Sequence, residues 1–600
     1  MPNATESVQK ATEQLEKHWV TGKVFLELWS EGSIETICEE IFKLCQCYES
    51  VCYTHIDKET QQRIDDTVSA IFYILTRPDF EIPAKHIPQL LAVSHLFCNL
   101  VSVSSYRTAD NFIQHLLNQK DNFYKLLFVY SARCKRAIDQ EILFKLCPKA
   151  ATLWWMNYGT PIGAPLTELL WDNLREHYSK IPDGFTLTDA RTIPAMFDCT
   201  YYNPDCDGII KTELNLQCKK LLPEFVAVKK PVVGKILWVT SRWYSTSSVY
   251  RCSKPYLDKL AEKYDITLVV PGKPDPKMDT TVFKEQVYCP LEGNKLDITI
   301  LRESLDADMA IFPDVGMSNE SVIMSNLRLA PKTLCLYGHA SSTFSPEMDY
   351  WMGGTELEVP ELAYKHYGER LLLVKGVGMM PVYPSYERKY PERDPDRVIL
   401  NCAWTGPKIS WPTISALKKI INQAKTPVLI KLYPAFTLGR YNTLLPSIKD
   451  LSRMFGDELT VMAERSYDEY MKEMELGDIS LMAHPFGGYT TVVDAFVLGQ
   501  PVVAVEGTRM FNKMAPTMLR TVGLPQLVCK DLKSFIDTVV SLVDHPERRY
   551  AARKHLEGLD LRAKLAGTAD STDLLRTVDY IYANHDRIMS SGDRGPFFVP

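Results

Sequence analysis

Residues 479–505 read ISLMAHPFGGYTTVVDAFVLGQPVVAV. Residues 479–483 form a short apolar run with the composition of a buried strand, and residues 501–505 form another. Between them lie Gly487 and Gly488, then an apolar-periodic stretch opening at Thr490 that fits a helix. Strand, glycine turn, helix and strand make one α/β unit, and the crossover helix makes its strands parallel. The chemistry of such a unit sits in its turn. Gly487 and Gly488 let the backbone approach a ligand closely. Tyr489, Thr490 and Thr491 fall at or beside the helix N-terminus, where open N–H groups and the helix dipole favour a phosphate. Asp494 shares a helix face with Thr490 at i+4, a place from which a carboxylate accepts from ribose hydroxyls. The competing reading makes Thr490 the structural cap of an ordinary helix.

Outward from this unit the same pattern repeats. Residues 398–402, 428–432 and 459–462 are further short apolar runs, which predicts one doubly wound domain over 391–565. A Pro- and Tyr-rich connector, residues 380–396, precedes it. Residues 235–240 (KILWVT), 266–270 (ITLVV), 309–313 (MAIFP) and 333–337 (TLCLY) predict another such domain over 226–390. Two Rossmann-like domains joined by a Pro-rich hinge imply a cleft between the carboxyl ends of two sheets. From about residue 6 to 180 the spacing is helical, without a fixed repeat, which predicts an all-α domain and connector over 1–225. Residues 193–208 read as a Pro- and Cys-containing link. Residues 566–600 hold a C-terminal helix, 571–589, expected to pack back across both α/β domains.

Composition narrows the function. Sixty-eight basic against 74 acidic residues give a net charge of -6, so no global basic field attracts nucleic acid or anionic lipid. Fifteen cysteines without a C-x-x-C pair read as reduced thiols. The N-terminus lacks a basic segment leading into an apolar one, so a cytoplasmic protein is expected. The most apolar helical window, residues 86–103, is broken by Gln89, Ser94, His95 and Asn99 and reads as a core helix, so no transmembrane segment is expected.

The stretch Gly488-Tyr489-Thr490-Thr491-Val492-Val493-Asp494, followed by Leu498-Gly499-Gln500-Pro501, resembles the nucleotide-sugar site shared by two related groups. These are the eukaryotic O-GlcNAc transferases, with Gly-His-Thr-Thr-Gly-x-Asp, and the bacterial cytoplasmic N-glycosyltransferases of the HMW adhesin type. Residues 235–251, ending in Ser248-Val249-Tyr250-Arg251, resemble the first strand and acceptor-side loop of the bacterial enzymes. Residues 313–343 resemble their Pro-x-x-Gly-Met, Ser-Asn-x-Arg-Leu-Ala-Pro and Gly-His-Pro-Ala-Thr stretches. Residues 71–113 resemble their helical domain. The resemblance implies a GT-B glycosyltransferase fold, α/β with two Rossmann-like domains facing a cleft and an all-α domain before them.

It also implies roles. Lys408, in Trp404-Thr405-Gly406-Pro407-Lys408, matches the family lysine that contacts the donor diphosphate, with Thr405 beside it. A positioned ammonium stabilises the charge that grows on departing UDP. His339, after the strand at 333–337, is expected at the carboxyl edge facing the cleft, bonding the sugar or the β-phosphate. Arg251 would hold the sugar or the acceptor backbone. Departures are specific: Ser247 replaces a family histidine, and serine is no base near neutral pH. Asp198-Cys199-Thr200-Tyr201-Tyr202 stands where relatives have His-Cys-Ser-Tyr-Asp, which leaves Asp198 as a proton acceptor. The donor turn lacks the Asn-Thr-Asn-Gly run of the N-glycosyltransferases and is closer to the O-GlcNAc enzymes.

Three D-x-D patterns, at Asp205/Asp207, Asp306/Asp308 and Asp394/Asp396, read as loop or helix-end charge, and no metal or other cofactor is expected beyond the UDP-sugar donor. The sequons at Asn3 and Asn319 read as chance matches, the first also as an automodification target. The expected activity is inverting, metal-independent transfer of a hexose, glucose first, from a UDP-sugar to polypeptide. The expected acceptor is Asn in Asn-x-Ser/Thr of an adhesin-like substrate. The alternatives are transfer to a Ser/Thr or glycan hydroxyl, and a UDP-sugar-binding partner protein without turnover.

Overall fold

The strands of the computed structural model, in chain order, begin with β1 (Val232–Val239), β2 (Asp265–Pro271), β3 (Glu285–Cys289), β4 (Leu291–Glu292), β5 (Lys295–Leu296) and β6 (Ala307–Phe312). There follow β7 (Lys332–Cys335), β8 (Tyr350–Gly354), β9 (Arg370–Val374), β10 (Val398–Cys402), β11 (Val428–Leu432) and β12 (Leu459–Val461). The series closes with β13 (Ile479–Leu481), β14 (Val502–Val505), β15 (Val528–Cys529) and β16 (Phe597–Phe598). The structure describes residues 21–50, 56–119, 123–160, 164–272, 274–292, 295–434, 438–462 and 465–600, and the sequon at Asn3 lies outside them. The chain divides into two compact units. One holds residues 1–187, 404–414 and 431–464, the other 188–403, 415–430 and 465–600.

In the second unit, eight parallel strands form a sheet of order β16-β9-β8-β7-β6-β1-β2-β3. The strands β6, β8 and, but for its first residue, β2 are buried throughout, as expected of a sheet covered on both faces. The order reverses between β1 and β6, which makes the gap between their carboxyl ends a switch point. Of the same unit, β10, β13, β14 and β15 run parallel in that order. Because β11 and β12 separate β10 from β13 in sequence, the carboxyl ends of β10 and β13 flank a switch point too.

Two expected segments differ here. Residues 193–208 hold a helix, Ile193–Tyr202, because Pro194 sits in its first turn, where no N–H is needed. The C-terminal helix Asp573–Ser591 buries Leu574, Val578, Ile581 and Ile588 in the core of the first sheet, and the tail adds β16 beside β9. Its described apolar contacts are thus with the first sheet. The strands β3, β4, β5, β8, β9, β15 and β16 had no expected counterpart.

The described residues of the other unit up to 187 hold helices and no strand. The helix Lys58–Leu75 is capped by Asp57, whose carboxylate accepts from Thr60 N at 2.7 Å, and it buries Ile64, Val68, Ile71, Phe72 and Leu75 along one face. Phe72 stacks on Phe112 at 3.9 Å, and the Trp154 indole donates to Tyr130 O at 2.8 Å. The window at 86–103 is two helices, Ile87–Ala92 and Ser94–Val103. Val93 breaks it by bonding back to Leu90 at i−3, and the Ser94 hydroxyl takes Leu91 O at 2.9 Å. The helix Leu438–Phe455, expected within the second α/β domain, packs on this bundle: Lys449 Nζ donates to Gln61 at 2.7 Å. No helix among the described residues is long and apolar enough to cross a membrane.

Candidate donor and acceptor site

The strand β13 ends at Leu481, the chain turns through Gly487 and Gly488, and a helix runs from Thr490 to Val497. Tyr489 is its N-cap, and its carbonyl accepts from Val492 and Val493. The structural-cap alternative therefore does not describe Thr490, which is the first helical residue, and no side chain among the described residues caps this end. That leaves the first-turn N–H groups of Thr490 and Thr491 outside the helical ladder, at the positive end of the dipole. Space is tight at Gly488: a Cβ there would lie 2.3 Å from Thr491 Oγ1 and would displace that hydroxyl. The Tyr489 side chain is buried and its hydroxyl donates to Met379 O at 3.0 Å, so what this residue presents at the turn is backbone.

One turn along the helix, the buried Asp494 accepts from the Tyr467 hydroxyl at 2.6 Å. Burial pushes its carboxyl up to about 6, against the opposing pull of the Tyr467 hydrogen bond and the Arg251 charge. Arg251 lies in the first turn of the helix Ser248–Ala261, whose N-cap is Ser247. It is half-buried, and among the described residues its buried Nε has no hydrogen-bond partner. Thus Arg251, from the first α/β layer, and Asp494, from the second, lie within electrostatic reach.

His339 emerges beyond the carboxyl end of β7, as expected, yet it is 4% exposed. Its ring stacks on Phe197 (centroids 4.9 Å, 24°) and lies parallel to Phe486 (5.9 Å, 8°). Phe486 in turn stacks on Tyr201 and on Phe511, at 4.4 and 4.5 Å. Phe486 belongs to the glycine-rich turn, so the turn and the histidine share one aromatic column. Asp198 is half-buried on the helix that supplies Phe197 and Tyr201. At the first sheet's switch point the Thr240 hydroxyl donates to Asp314 at 2.8 Å. The other Asp314 oxygen is buried without a partner among the described residues, and burial raises this carboxyl to about 6.

Thr405 and Lys408 belong to the other unit. They follow the carboxyl end of β10 by three and six residues. Lys408 closes a single 3-10 turn, its N–H donating to Thr405 O at 2.8 Å. Thr405 is exposed, whereas the Lys408 ammonium loses enough hydration for its pKa to fall to about 8. It remains mostly cationic at neutral pH.

No protein-family model matches the chain. It is 21% identical over 536 residues to the UDP-glucose:protein N-beta-glucosyltransferase of Actinobacillus pleuropneumoniae serotype 5b (strain L20), covering 81% of this chain and 84% of that protein. The similarity is to a protein N-glucosyltransferase. A second similarity, 22% over 397 residues, is to a probable UDP-N-acetylglucosamine--peptide N-acetylglucosaminyltransferase SPINDLY of Oryza sativa subsp. japonica, covering 62% of this chain and 41% of that one. Among solved structures, a mutant O-GlcNAc transferase of Thermobaculum terrenum aligns over 98% of this chain and 100% of its own, with a TM-score of 0.54 at 14% identity. The fold is GT-B.

Four of the six D-x-D carboxylates are engaged by cations. Asp306 pairs with Lys235 at 2.7 Å, Asp308 with Lys332 at 2.9 Å, Asp394 with Arg397 at 2.7 Å and Asp207 with Arg509 at 2.7 Å. Asp207 is the helix-end charge of the expected reading, buried at the start of the helix Asp207–Leu221. Sequence reasoning missed Tyr467, Phe486, Phe511 and Asp314. Phe486 stood inside the decisive stretch and Asp314 directly after a strand, a position that signals a cleft residue. Nothing local marks Tyr467, which meets Asp494 only through the fold.

Proposed function

We propose that the chain is an inverting, metal-independent glycosyltransferase that moves a hexose, glucose first, from a UDP-sugar to asparagine in Asn-x-Ser/Thr of an adhesin-like polypeptide in the cytoplasm. The observation that carries this reading is the helix Thr490–Val497, which opens uncapped from Gly487 and Gly488 beside the β10/β13 switch point, a place suited to a diphosphate. In this reading Thr490 and Thr491 take the diphosphate, Asp494 the ribose and Lys408 the charge of departing UDP. Breaking the anomeric C–O bond leaves the electron pair on the β-phosphate oxygen. A cation and a helix terminus stabilise it more there than in the ground state. The acceptor attacks from the opposite face, and its proton passes to a base, for which Asp198 is the candidate. His339 and Arg251 hold the sugar and the acceptor. The name of the Actinobacillus relative supports glucose and a protein acceptor.

A hydroxyl acceptor is the second reading, favoured by Ser247 in place of the family histidine and by the likeness to an O-GlcNAc transferase. Mass spectrometry of Ser-, Thr- and Asn-x-Thr-containing peptides, incubated with UDP-glucose, UDP-galactose or UDP-N-acetylglucosamine and no added metal, separates the two. Hexose on asparagine that vanishes in Lys408→Ala supports the first reading. Sugar on a hydroxyl replaces it with the second. UDP binding without transfer from any donor replaces both with a partner protein that has no turnover.

A further inference from the structure

Two residues beyond His339 the chain enters a buried charge cluster. Asp207 Oδ2 accepts from Ser341 Oγ at 2.8 Å and from Arg509 Nη2 at 2.7 Å. Lys211 Nζ donates to Ser341 Oγ at 3.0 Å and to Ser342 O at 3.1 Å, and lies 3.8 Å from Asp207. On the other side, Glu369 accepts from the Ser342 hydroxyl at 2.5 Å, from Thr343 N at 2.8 Å and from the Thr343 hydroxyl. Asn215 donates to Thr343 O at 2.8 Å. The side chains of Lys211 and Asp207 are 4% and 2% exposed, and that of Arg509 is 12% exposed. Two cations and two carboxylates therefore balance across the segment Ser341–Thr343.

Three of the four charges come from the first α/β layer and its leading helix. Arg509 does not: it is the N-cap of the helix Met510–Thr521, which follows β14 of the second layer. Two residues on, Phe511 stacks on Phe486, and the Arg509 guanidinium lies 5.6 Å from the Phe511 ring centroid. The start of this helix thus reaches the His339 segment twice, each time through one intermediary: Asp207, which holds Ser341, and Phe486, which lies parallel to His339. Without Arg509 the cluster keeps two carboxylates against one ammonium in a buried setting, and Asp207 is drawn away from Ser341 toward Lys211 or water.

We propose that Arg509 is a positioning residue: by pairing with Asp207 it locks the Ser341–Thr343 segment, and with it His339, onto the nucleotide-side layer. The role in turnover rests on the transferase reading above, whereas the locking of the segment does not.

Hydrogen–deuterium exchange of the full chain tests the lock. In Arg509→Gln, amides of residues 339–345 are expected to exchange at least tenfold faster while those of β1 and β14 stay within twofold of the parent, with Arg509→Lys intermediate. Unchanged exchange at 339–345, or acceleration spread equally over β1 and β14, overturns the proposal. Kinetics tests the consequence: kcat at saturating donor and peptide falls at least tenfold in Arg509→Gln, partly recovers in Arg509→Lys, and the UDP Kd by calorimetry stays within threefold. An unchanged kcat, or a loss confined to UDP affinity, overturns the positioning role. If Arg509→Gln does not fold, Ser341→Ala carries the same exchange test, with an expected acceleration of about threefold. A parent chain without transferase activity sinks the proposed function, and the exchange result still decides the lock.

Discussion

The Tyr467 hydroxyl donates to Asp494 Oδ1 at 2.6 Å, and this bond sets the carboxylate that faces Arg251. Burial dominates the titration of that carboxyl and lifts it to about 6, above its ordinary value of 3.8. The folded chain then holds this proton more tightly than the unfolded chain does. The stabilisation is complete below about pH 4 and is lost as pH rises through about 6. At pH 7.5 the buried charge costs about 2–3 kcal/mol. Asp494→Asn is expected to raise Tm by a few degrees at pH 7.5, with the gain fading between pH 6 and 4, while the KM for UDP-sugar rises about tenfold. Calorimetry across pH and initial-rate kinetics check the two halves. A Tm gain that persists unchanged at pH 4 would show that the buried charge is not its source.

Lys408 has the opposite sign. Its ammonium is depressed to about 8, so the charged form is lost as pH rises through that value. The kcat/KM for the donor, which reports the free protein, should fall about tenfold per pH unit above pH 8. Arg at 408 stays cationic in that range, so Lys408→Arg is expected to abolish the alkaline fall even where it lowers the plateau. A pH–rate profile with the same alkaline limb in both proteins refutes the assignment.

Space at Gly488 gives a third expectation. A methyl group 2.3 Å from Thr491 Oγ1 forces that hydroxyl into another rotamer without touching any backbone. Gly488→Ala should therefore fold with a Tm within a few degrees of the parent and bind UDP at least tenfold more weakly by calorimetry. Parent-like affinity would place the diphosphate elsewhere.

Tyr489 separates an anchor from a ligand contact. Its hydroxyl is bonded to Met379 O, so Tyr489→Phe should cost about 1 kcal/mol of stability and leave the UDP Kd within twofold. A tenfold change in Kd would mean that the phenol reaches the donor.

The alternation of apolar runs with amphipathic stretches made β1, β2, β6, β7, β10, β11, β12, β13 and β14 legible, because a strand buried on both faces is recognisable from its own residues. The short β15 and the two-residue β16 were not, since so few residues carry no period and pair only because a neighbouring edge is open. The tract at 193–208 misled because proline reads as punctuation in a sequence, although at a first helical turn it is compatible with the helix.

The candidate site divides along the same line. Gly487, Gly488, Thr490, Thr491 and Asp494 are adjacent in the chain, so their spacing on one turn and one helix face follows from local geometry. The partners Tyr467, Arg251, Phe197 and Arg509 are 27 to 302 residues away from the groups they meet. The ordering of strands brings them there, together with the loss of water that shifts Asp494. The order of residues was enough for the strands themselves and for the glycine turn at 487–488, because the apolar pattern of a buried strand and the geometry of a turn depend on residues close together in the chain. Which carboxylate is buried, which histidine is stacked and which arginine joins the two layers came from tertiary packing alone, because burial and charge pairing depend on neighbours that sequence proximity does not supply.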